Sequence, residues 1–280
     1  MFNSVSSVAP LYSDLPRPFL KWAGGKGRLI EQYRSHFPRY FETYYEPFLG
    51  GGAIFFHLLP QRSLLTDINP ELVNVYRCVR DQVDEVITLL RGHERSHSHD
   101  YYYQIRSMLY CNPIERAARL IYLNRTCYNG LYRENSKGSF NVPMGRYKNP
   151  TICNVSLLRV VSASLKATTL NVEPFDAVLE NARNSRDFVY FDPPYHPISR
   201  TSNFTGYSRY SFHPNDQIRL RDTFVELARR GVKVMLSNSD CPFIRELYEG
   251  FHIHDISAVR AINSNAQKRG KISEVLVTSY

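Results

Sequence analysis

Asp192, Pro193, Pro194 and Tyr195 stand together at the end of an apolar run, Asp187-Phe188-Val189-Tyr190-Phe191. A carboxylate, a proline-fixed backbone carbonyl and an aromatic face within four residues suit a flat ring that carries an amine. The run has the length and β-propensity of a buried strand, and two prolines cannot extend it because proline lacks the ladder donor. Asp192 and Tyr195 are thereby expected just past a strand's carboxyl end, where open α/β sheets put their ligand crevices. Taken alone, the four residues equally admit a plain strand that ends in a proline turn with a surface acid.

A second constellation lies upstream. Residues 42–48 read as a strand, 49–52 as a tight turn, 53–59 as a helix stopped by Pro60, and 63–67 as a strand that ends in an acid. A glycine turn lets a ligand approach the backbone, and the following helix offers unpaired N–H groups. Asp67, 17 residues past Gly50, is placed to accept hydrogen bonds from two ribose hydroxyls. Phe48-Leu49-Gly50-Gly51-Gly52 is not the full dinucleotide fingerprint. A shorter turn with no phosphate to cradle suits a nucleoside cofactor better than NAD. Still earlier, Lys21-Trp22-Ala23-Gly24-Gly25-Lys26 holds the only tryptophan beside two glycines that permit close approach.

The third feature is charge. The chain carries a net +9, which invites a polyanionic partner. Seven Lys/Arg fall between 116 and 148 against Glu134 alone, and six between 17 and 39 against Glu31 alone. The segment 127–150 also breaks helical periodicity and is rich in Gly, Asn, Tyr and Arg, as in a hairpin or loop. Such residues can stack on bases, bond their edges and neutralise phosphates. An ordinary basic hairpin is the competing reading.

Other classes are excluded. No apolar run reaches the roughly 18 residues of a membrane span, and residues 1–16 lack a basic start and apolar core, so no secretory leader is expected. The five cysteines show no C-x-x-C pair and no zinc spacing, and read as reduced thiols of an intracellular protein. The histidine-rich stretch 93–100 has no second ligand cluster; it reads as a solvated loop, and no metal is expected.

These residues need a scaffold. Residues 69–91 read as one helix with Leu72, Val75, Tyr76, Val79, Val83 and Val86 on a common face, followed by helices over 100–108 and 113–125. After Pro150 the rhythm is helix 156–165, strand 168–172, helix 175–184, strand 187–191, helix 218–230, strand 232–237, helix 243–248 and strands 251–258 and 274–279. Residues 196–214, with Phe204, Tyr207, Tyr210 and Phe212, are long enough for a lid loop. Arg260, Lys268, Arg269 and Lys271 lie on a basic loop between the last strands. The fold class is α/β, Rossmann-like. Residues 1–68 and 151–280 form one discontinuous domain, and 69–150 form an inserted, mainly helical domain carrying the basic hairpin.

Six pieces in order now carry a resemblance: Phe19-Leu20-Lys21-Trp22-Ala23-Gly24-Gly25-Lys26, Glu46-Pro47-Phe48-Leu49-Gly50-Gly51-Gly52, Tyr122-Leu123-Asn124-Arg125, Tyr128-Asn129-Gly130-Leu131-Tyr132-Arg133, Phe140-Asn141-Val142-Pro143-Met144-Gly145-Arg146-Tyr147 and Asp192-Pro193-Pro194-Tyr195. The chain, over 18–280, resembles the Dam-type (D12 class) DNA adenine N6-methyltransferases with the order glycine motif, target-recognition insert, Asp-Pro-Pro-Tyr. The resemblance implies an S-adenosylmethionine (AdoMet) sheet domain with the cofactor at Trp22, Lys26, Phe48, Gly50, Gly52, Asp67, Phe175 and Asp192. It implies Asp192, Pro193 and Tyr195 as catalytic, and Lys21, Tyr128, Asn129, Leu131, Arg133, Pro143, Arg146 and Tyr147 at the interface with double-stranded DNA. Members with this pattern mostly recognise GATC, with Arg133 as the guanine reader. One departure is Glu173-Pro174-Phe175, where relatives often carry Asp or Glu-Ser before the aromatic. A cytoplasmic, DNA-associated monomer of prokaryotic or phage origin is implied, with room for a cognate restriction endonuclease. The rival readings are an N6-adenine RNA methyltransferase, a DNA-binding protein with a dead methylase site, and an NAD oxidoreductase.

Overall fold

A computed structural model describes residues 15–197, 212–259 and 271–280. Most of the expected lid, including Phe204, Tyr207 and Tyr210, lies outside these residues, as do Arg260, Lys268 and Arg269.

Seven strands form one sheet: β1 (Thr43–Glu46), β2 (Ser63–Asp67), β3 (Thr168–Val172), β4 (Asp187–Phe191), β5 (Lys233–Ser239), β6 (His252–Val259) and β7 (Lys271–Thr278). Their order is β3-β2-β1-β4-β5-β7-β6. The first five run parallel, and β7 lies antiparallel between β5 and β6. The order reverses between β1 and β4, which makes the carboxyl ends of those two strands the sheet's switch point. Every residue of β4 is buried, as expected of a central parallel strand covered on both faces.

The alternation along the strands divides the core. Tyr44, Phe188, Tyr190, Met235 and Leu276 face one side, with α3 (Pro70–Asp81), α6 (Pro113–Thr126) and α7 (Val155–Leu165) contributing to the same cluster. Tyr45, Val189, Phe191, Leu236 and Val277 face the other, against α8 (Pro214–Arg229) and α9 (Pro242–Leu247). Three of these helices start by one local device. Asn69, Asn112 and Asn154 each cap a first turn with the side-chain oxygen, and Pro70 and Pro113 follow the first two. A capping Asn satisfies N–H groups that the helix cannot, and proline at the first position loses no bond.

Three expectations are corrected. Residues 69–91 are not one helix: α3 ends at Asp81, Gln82 leaves helical geometry, and α4 (Val83–Ser96) begins with Asp84 and Glu85 in its first turn. Those acids favour a helix N-terminus, and the break lets α3 lie on β2 and β3 as well as on α6 and α7, which α4 also meets. Residues 175–184 hold only a 3-10 turn, Phe175–Glu180. The histidine stretch is not a solvated loop. His93 sits in α4 at 9% exposure, stacks on Tyr122 at 4.9 Å and bonds the Tyr101 hydroxyl through Nδ1 at 2.8 Å. His97 bonds the Tyr122 hydroxyl at 2.9 Å, so the run closes α4 onto α6 and α5 (His99–Ser107). One buried ring, Tyr122, at least 25 residues away in sequence, gave both imidazoles a partner that composition could not show. Among the described residues no cluster of ligands could hold a metal ion, and no helix is long and apolar enough to cross a membrane.

Candidate active site

Asp192 follows the last residue of β4, and the β4–β5 register, Phe191 beside Leu236, sets it next to Ser237. The Ser237 hydroxyl donates to Asp192 Oδ1 at 2.9 Å, and the Lys26 ammonium reaches the same oxygen at 2.7 Å. The lysine side chain is 5% exposed and also donates to the Gly24 carbonyl at 2.6 Å. Both partners thus use one oxygen of Asp192. Tyr190 exchanges a hydrogen bond with Ser237 at 3.0 Å behind it.

Tyr195 is fixed at its far end. Its hydroxyl donates to Glu274 Oε2 on β7 at 2.7 Å, and the Lys26 ammonium lies 4.7 Å from its ring centroid. Burial raises the Glu274 carboxyl, which the Lys26 ammonium opposes. The polypeptide between Pro194 and His196 is held by Gln217, Asn238 and Ser239. The Pro193 carbonyl, among the described residues, accepts no hydrogen bond.

The glycine turn lies at the neighbouring strand ends. Asp67 Oδ2 accepts from Gly50 N at 3.1 Å and Oδ1 from Asn69 N at 2.9 Å. Burial pushes the Asp67 carboxyl up to about 6, while N–H groups of Asn69, Gly50 and Ile68 pull it back. Gly50 has φ +47, and a Cβ there would stand 3.0 Å from Trp22 Cδ1. Only glycine lets the indole lie this close to the turn. Gly52 precedes α2 (Ala53–Leu58) in a left-handed conformation. Phe48 and Phe175 stack at 5.5 Å and 20°, with Phe212 edge-on to both.

Glu46 opens the glycine motif, and the sequence alone assigns it no role. It is 2% exposed and accepts from the Tyr44 hydroxyl at 2.9 Å and from Phe55 N at 3.2 Å. Burial raises its carboxyl to about 8, with the Asp192 and Asp67 carboxylates adding to the rise.

The segment 127–150 forms an irregular hairpin with isolated bridges Cys127–Met144 and Glu134–Phe140. Tyr128, Asn129, Leu131, Pro143, Arg146 and Tyr147 are all exposed. The Lys21 ammonium lies 4.1 Å over the Tyr147 ring. Arg133 is half-buried and donates from Nε to Asn141 Oδ1 at 2.6 Å. Asn129 and Gly130 both have positive φ, and a Cβ on Gly130 would fall 2.5 Å from Lys21 Cβ. Asn124, which sequence reasoning also left without a role, ties this turn down. It accepts from Lys21 N at 2.8 Å and donates to Lys21 O at 2.7 Å and Gly130 O at 3.0 Å.

The family model of D12 class N6 adenine-specific DNA methyltransferases matches residues 22–262. The chain belongs to that family. It is 45% identical to the type II methyltransferase M1.LlaDCHI of Lactococcus lactis subsp. cremoris, over 94% of this chain and 95% of that one. It is 42% identical to the type II methyltransferase M.MjaIII of Methanocaldococcus jannaschii, over 94% and 99%. It is 36% identical to the DNA adenine methylase of Escherichia coli K12, over 93% and 94%.

The cofactor of this D12 methyltransferase is AdoMet, and the donor set fits it. Glu46, Asp67, Asp192 and Glu274 are the acids of the site, with the Lys26 ammonium bound to Asp192 and acting on Glu274. Even with Glu46 held protonated, Asp67, Asp192 and Glu274 outnumber the one Lys26 ammonium, which suits a ligand that brings positive charge, and AdoMet carries a sulfonium and an ammonium. Asp67 would take the ribose hydroxyls with its remaining lone pairs, and Phe48 and Phe175, stacked on each other here, would offer apolar surface to the adenine. Sequence reasoning missed Ser237, Glu274, Gln217 and Asn238. The one signal available was Ser237-Asn238-Ser239, a polar triplet closing an apolar strand that was expected to stop at Ser237.

Proposed function

We propose that the protein is a site-specific DNA adenine N6-methyltransferase that acts on an adenine turned out of duplex DNA, in GATC. The observation that carries this reading is the state of two acceptors. Lys26 and Ser237 both engage Asp192 Oδ1, and the Pro193 carbonyl is unengaged among the described residues. Asp192 Oδ2 and Pro193 O are therefore available for the two hydrogens of an exocyclic amine.

That amine is a poor nucleophile because its lone pair is delocalised into the ring, and inside the stack it is out of reach. Extruding the base costs a few kcal/mol. Accepting both amino hydrogens rehybridises the nitrogen and aims its lone pair, while Tyr195 stacks on the base. AdoMet, when bound, supplies an electrophilic methyl on sulfur. The gain is alignment and electrostatics without a covalent intermediate on the protein. Trp22, Lys26, Phe48, Gly50, Gly52, Asp67, Phe175 and Asp192 are read as the cofactor's contacts.

Residues 69–150 are read as the target-recognition insert. Lys21, Tyr128, Asn129, Leu131, Pro143, Arg146 and Tyr147 face the DNA, and Arg133 reads a guanine through O6 and N7. GATC rests on the pattern Asn129-Gly130-Leu131-x-Arg133 with Val142-Pro143-x-Gly145-Arg146-Tyr147. Its substrate is double-stranded DNA, and the free protein is read as a monomer in solution. Incubation with plasmid and methyl-labelled AdoMet, followed by mapping of modified bases, tests all of this. Label on adenine within GATC is expected. Label on cytosine, at unrelated sites, or on RNA in preference to duplex DNA sinks the reading.

A further inference from the structure

The Asp-Pro-Pro-Tyr loop is gripped from below by side chains that no motif pointed to. Gln217, in the first turns of α8, donates from Nε2 to the Pro194 carbonyl at 3.0 Å. Its Oε1 accepts from Asn238 Nδ2 at 3.0 Å. Asn238 Oδ1 in turn accepts from His196 N at 3.2 Å, and the Ser239 hydroxyl donates to His196 O at 2.8 Å. Gln217 is 1% exposed, Asn238 0% and Ser239 2%. Burying three polar side chains this completely is costly unless each is bonded. Here the bonds go to the backbone on both sides of Tyr195.

The chain leaves Pro193 alone. Neither proline has an N–H, so the only handles on the loop before Tyr195 are two carbonyls, those of Pro193 and Pro194. Gln217 takes the second and, with it, fixes the plane of the peptide that joins Pro194 to Tyr195. The rotation left to the Pro193 carbonyl is then confined between Asp192, held by Lys26 and Ser237, and a clamped Pro194.

We infer that Gln217 and Asn238 are positioning residues for methyl transfer: they hold the Pro194 and His196 backbone so that the Pro193 carbonyl and the Tyr195 ring meet the target amine at fixed angles. This rests on the catalytic reading of Asp192 and Pro193. A misplacement of about 1 Å can cost on the order of 10²-fold in rate, so a strong effect is expected from residues that touch no substrate.

Gln217→Glu is the sharpest variant, because it keeps the acceptor for Asn238 and replaces only the donor to Pro194. At pH 8.5, kcat of the folded variant on a GATC duplex should fall roughly 10²-fold, with AdoMet and DNA dissociation constants near wild type; the buried carboxylate should also lower melting temperature at that pH, and melting temperature should recover as pH falls to 6. Burial raises a carboxyl's pKa, and a protonated Glu regains a donor. The ratio of variant to wild-type kcat should therefore climb as pH falls to 6. The other ionisable groups around the loop, Asp192, Tyr195, His196, Asp216 and Glu274, are the same in both proteins, so the ratio isolates the substituted side chain. Asn238→Asp, which removes the donor to Gln217 but keeps the acceptor for His196, should lower kcat in the same direction.

A wild-type kcat in folded Gln217→Glu overturns the inference. So does a loss in which melting temperature and both affinities fall together without pH rescue, since that marks a merely structural role. Should Gln217→Glu fail to fold, Asn238→Asp decides by the same criteria. Asp192→Ala run alongside separates the two claims. If it keeps wild-type turnover, the catalytic reading fails; if it is dead while Gln217→Glu is unimpaired, only the clamp fails.

Discussion

At the carboxyl ends of β4 and β5, the candidate catalytic groups are held from several sides. Lys26 is 5% exposed, Ser237 is fully buried, and Tyr195 is tied through its hydroxyl to another strand. In the segment 127–150, Tyr128 is 52% exposed, and Asn129, Leu131, Pro143, Arg146 and Tyr147 also face solvent. There it is the backbone that is fixed, by Asn124, by the Tyr128–Pro143 bond at 2.8 Å and by a glycine that admits no side chain against Lys21. One region fixes side chains, and the other fixes the chain and leaves most side chains out. The contrast fits the tasks proposed for the two regions. Electrostatic alignment of a transition state gains most from groups that need not reorganise, whereas a duplex surface has to be met by side chains standing clear of the fold.

The first way to break the comparison is Asp192→Ala. It removes the carboxylate proposed to accept the target amine, which also pairs with Lys26. kcat should fall by 10²–10³-fold or more, with DNA affinity and site preference nearly unchanged. Site preference that collapses with rate would mean that the two regions are not separable.

Glu46→Gln probes what the buried region costs the fold. The Glu46 carboxyl is raised from its ordinary value of 4.5 to about 8 by burial and by neighbouring Asp192 and Asp67. The native state therefore holds a proton that the unfolded chain has released. Its stabilising contribution is complete below about 4.5 and is lost as pH rises through about 8. Melting temperature measured from pH 5 to 9 should fall more steeply for wild type than for Glu46→Gln, leaving the variant relatively more stable at the alkaline end. Parallel curves would show that the acid is not held protonated.

Arg133→Ala tests the exposed region. Loss of a bidentate guanine contact should relax discrimination at one base pair by about 1–3 kcal/mol, with kcat at saturating DNA close to wild type. A uniform loss of affinity for every sequence would instead mark Arg133 as a phosphate contact.

These two regions were legible in the sequence to different depths. β2, β3 and β4 run Ser63–Asp67, Thr168–Val172 and Asp187–Phe191, the bounds read from their apolar runs and flanking turn residues. That alone put Asp67 and Asp192 at strand ends. The asparagine caps also obey short-range rules, yet none of them was read from the sequence. What could not be read is whatever depends on register: Ser237 lies 45 residues from Asp192, and Glu274 lies 79 from Tyr195. Only pairing of β4 with β5 and of β5 with β7 brings them together. The helix break at Gln82 escaped for a related reason, since the apolar period runs through it and the change of direction is imposed by what each half packs on. In the hairpin the Gly, Asn and Tyr content correctly marked an irregular segment, yet Asn124, one position from the end of a quoted motif, gave no sign that it bonds Lys21.

The regions meet at Trp22. Its indole lies against the Gly50 turn on one side and stacks on Tyr132 at 5.2 Å and 29° on the other. Tyr132 also packs edge-on to Phe140 and bonds Glu134, whose bridge to Phe140 closes the hairpin. Arg133 is its neighbour in sequence. An aromatic pair of this kind is worth about 0.5–1.5 kcal/mol beyond its buried area, enough for a few-fold effect of one ligand on the other. Because Trp22 is the only tryptophan, its fluorescence reports this junction directly. AdoMet titrations with and without GATC duplex should give different dissociation constants in the wild type, and DNA titrations with and without AdoMet should differ by the same factor. Tyr132→Leu keeps bulk but removes the stack, and it should bring both factors toward one while leaving each ligand's affinity alone within a few-fold. If the factors survive, cofactor and target are sensed independently, and the division between a rigid pocket and an exposed reading face extends to their energetics.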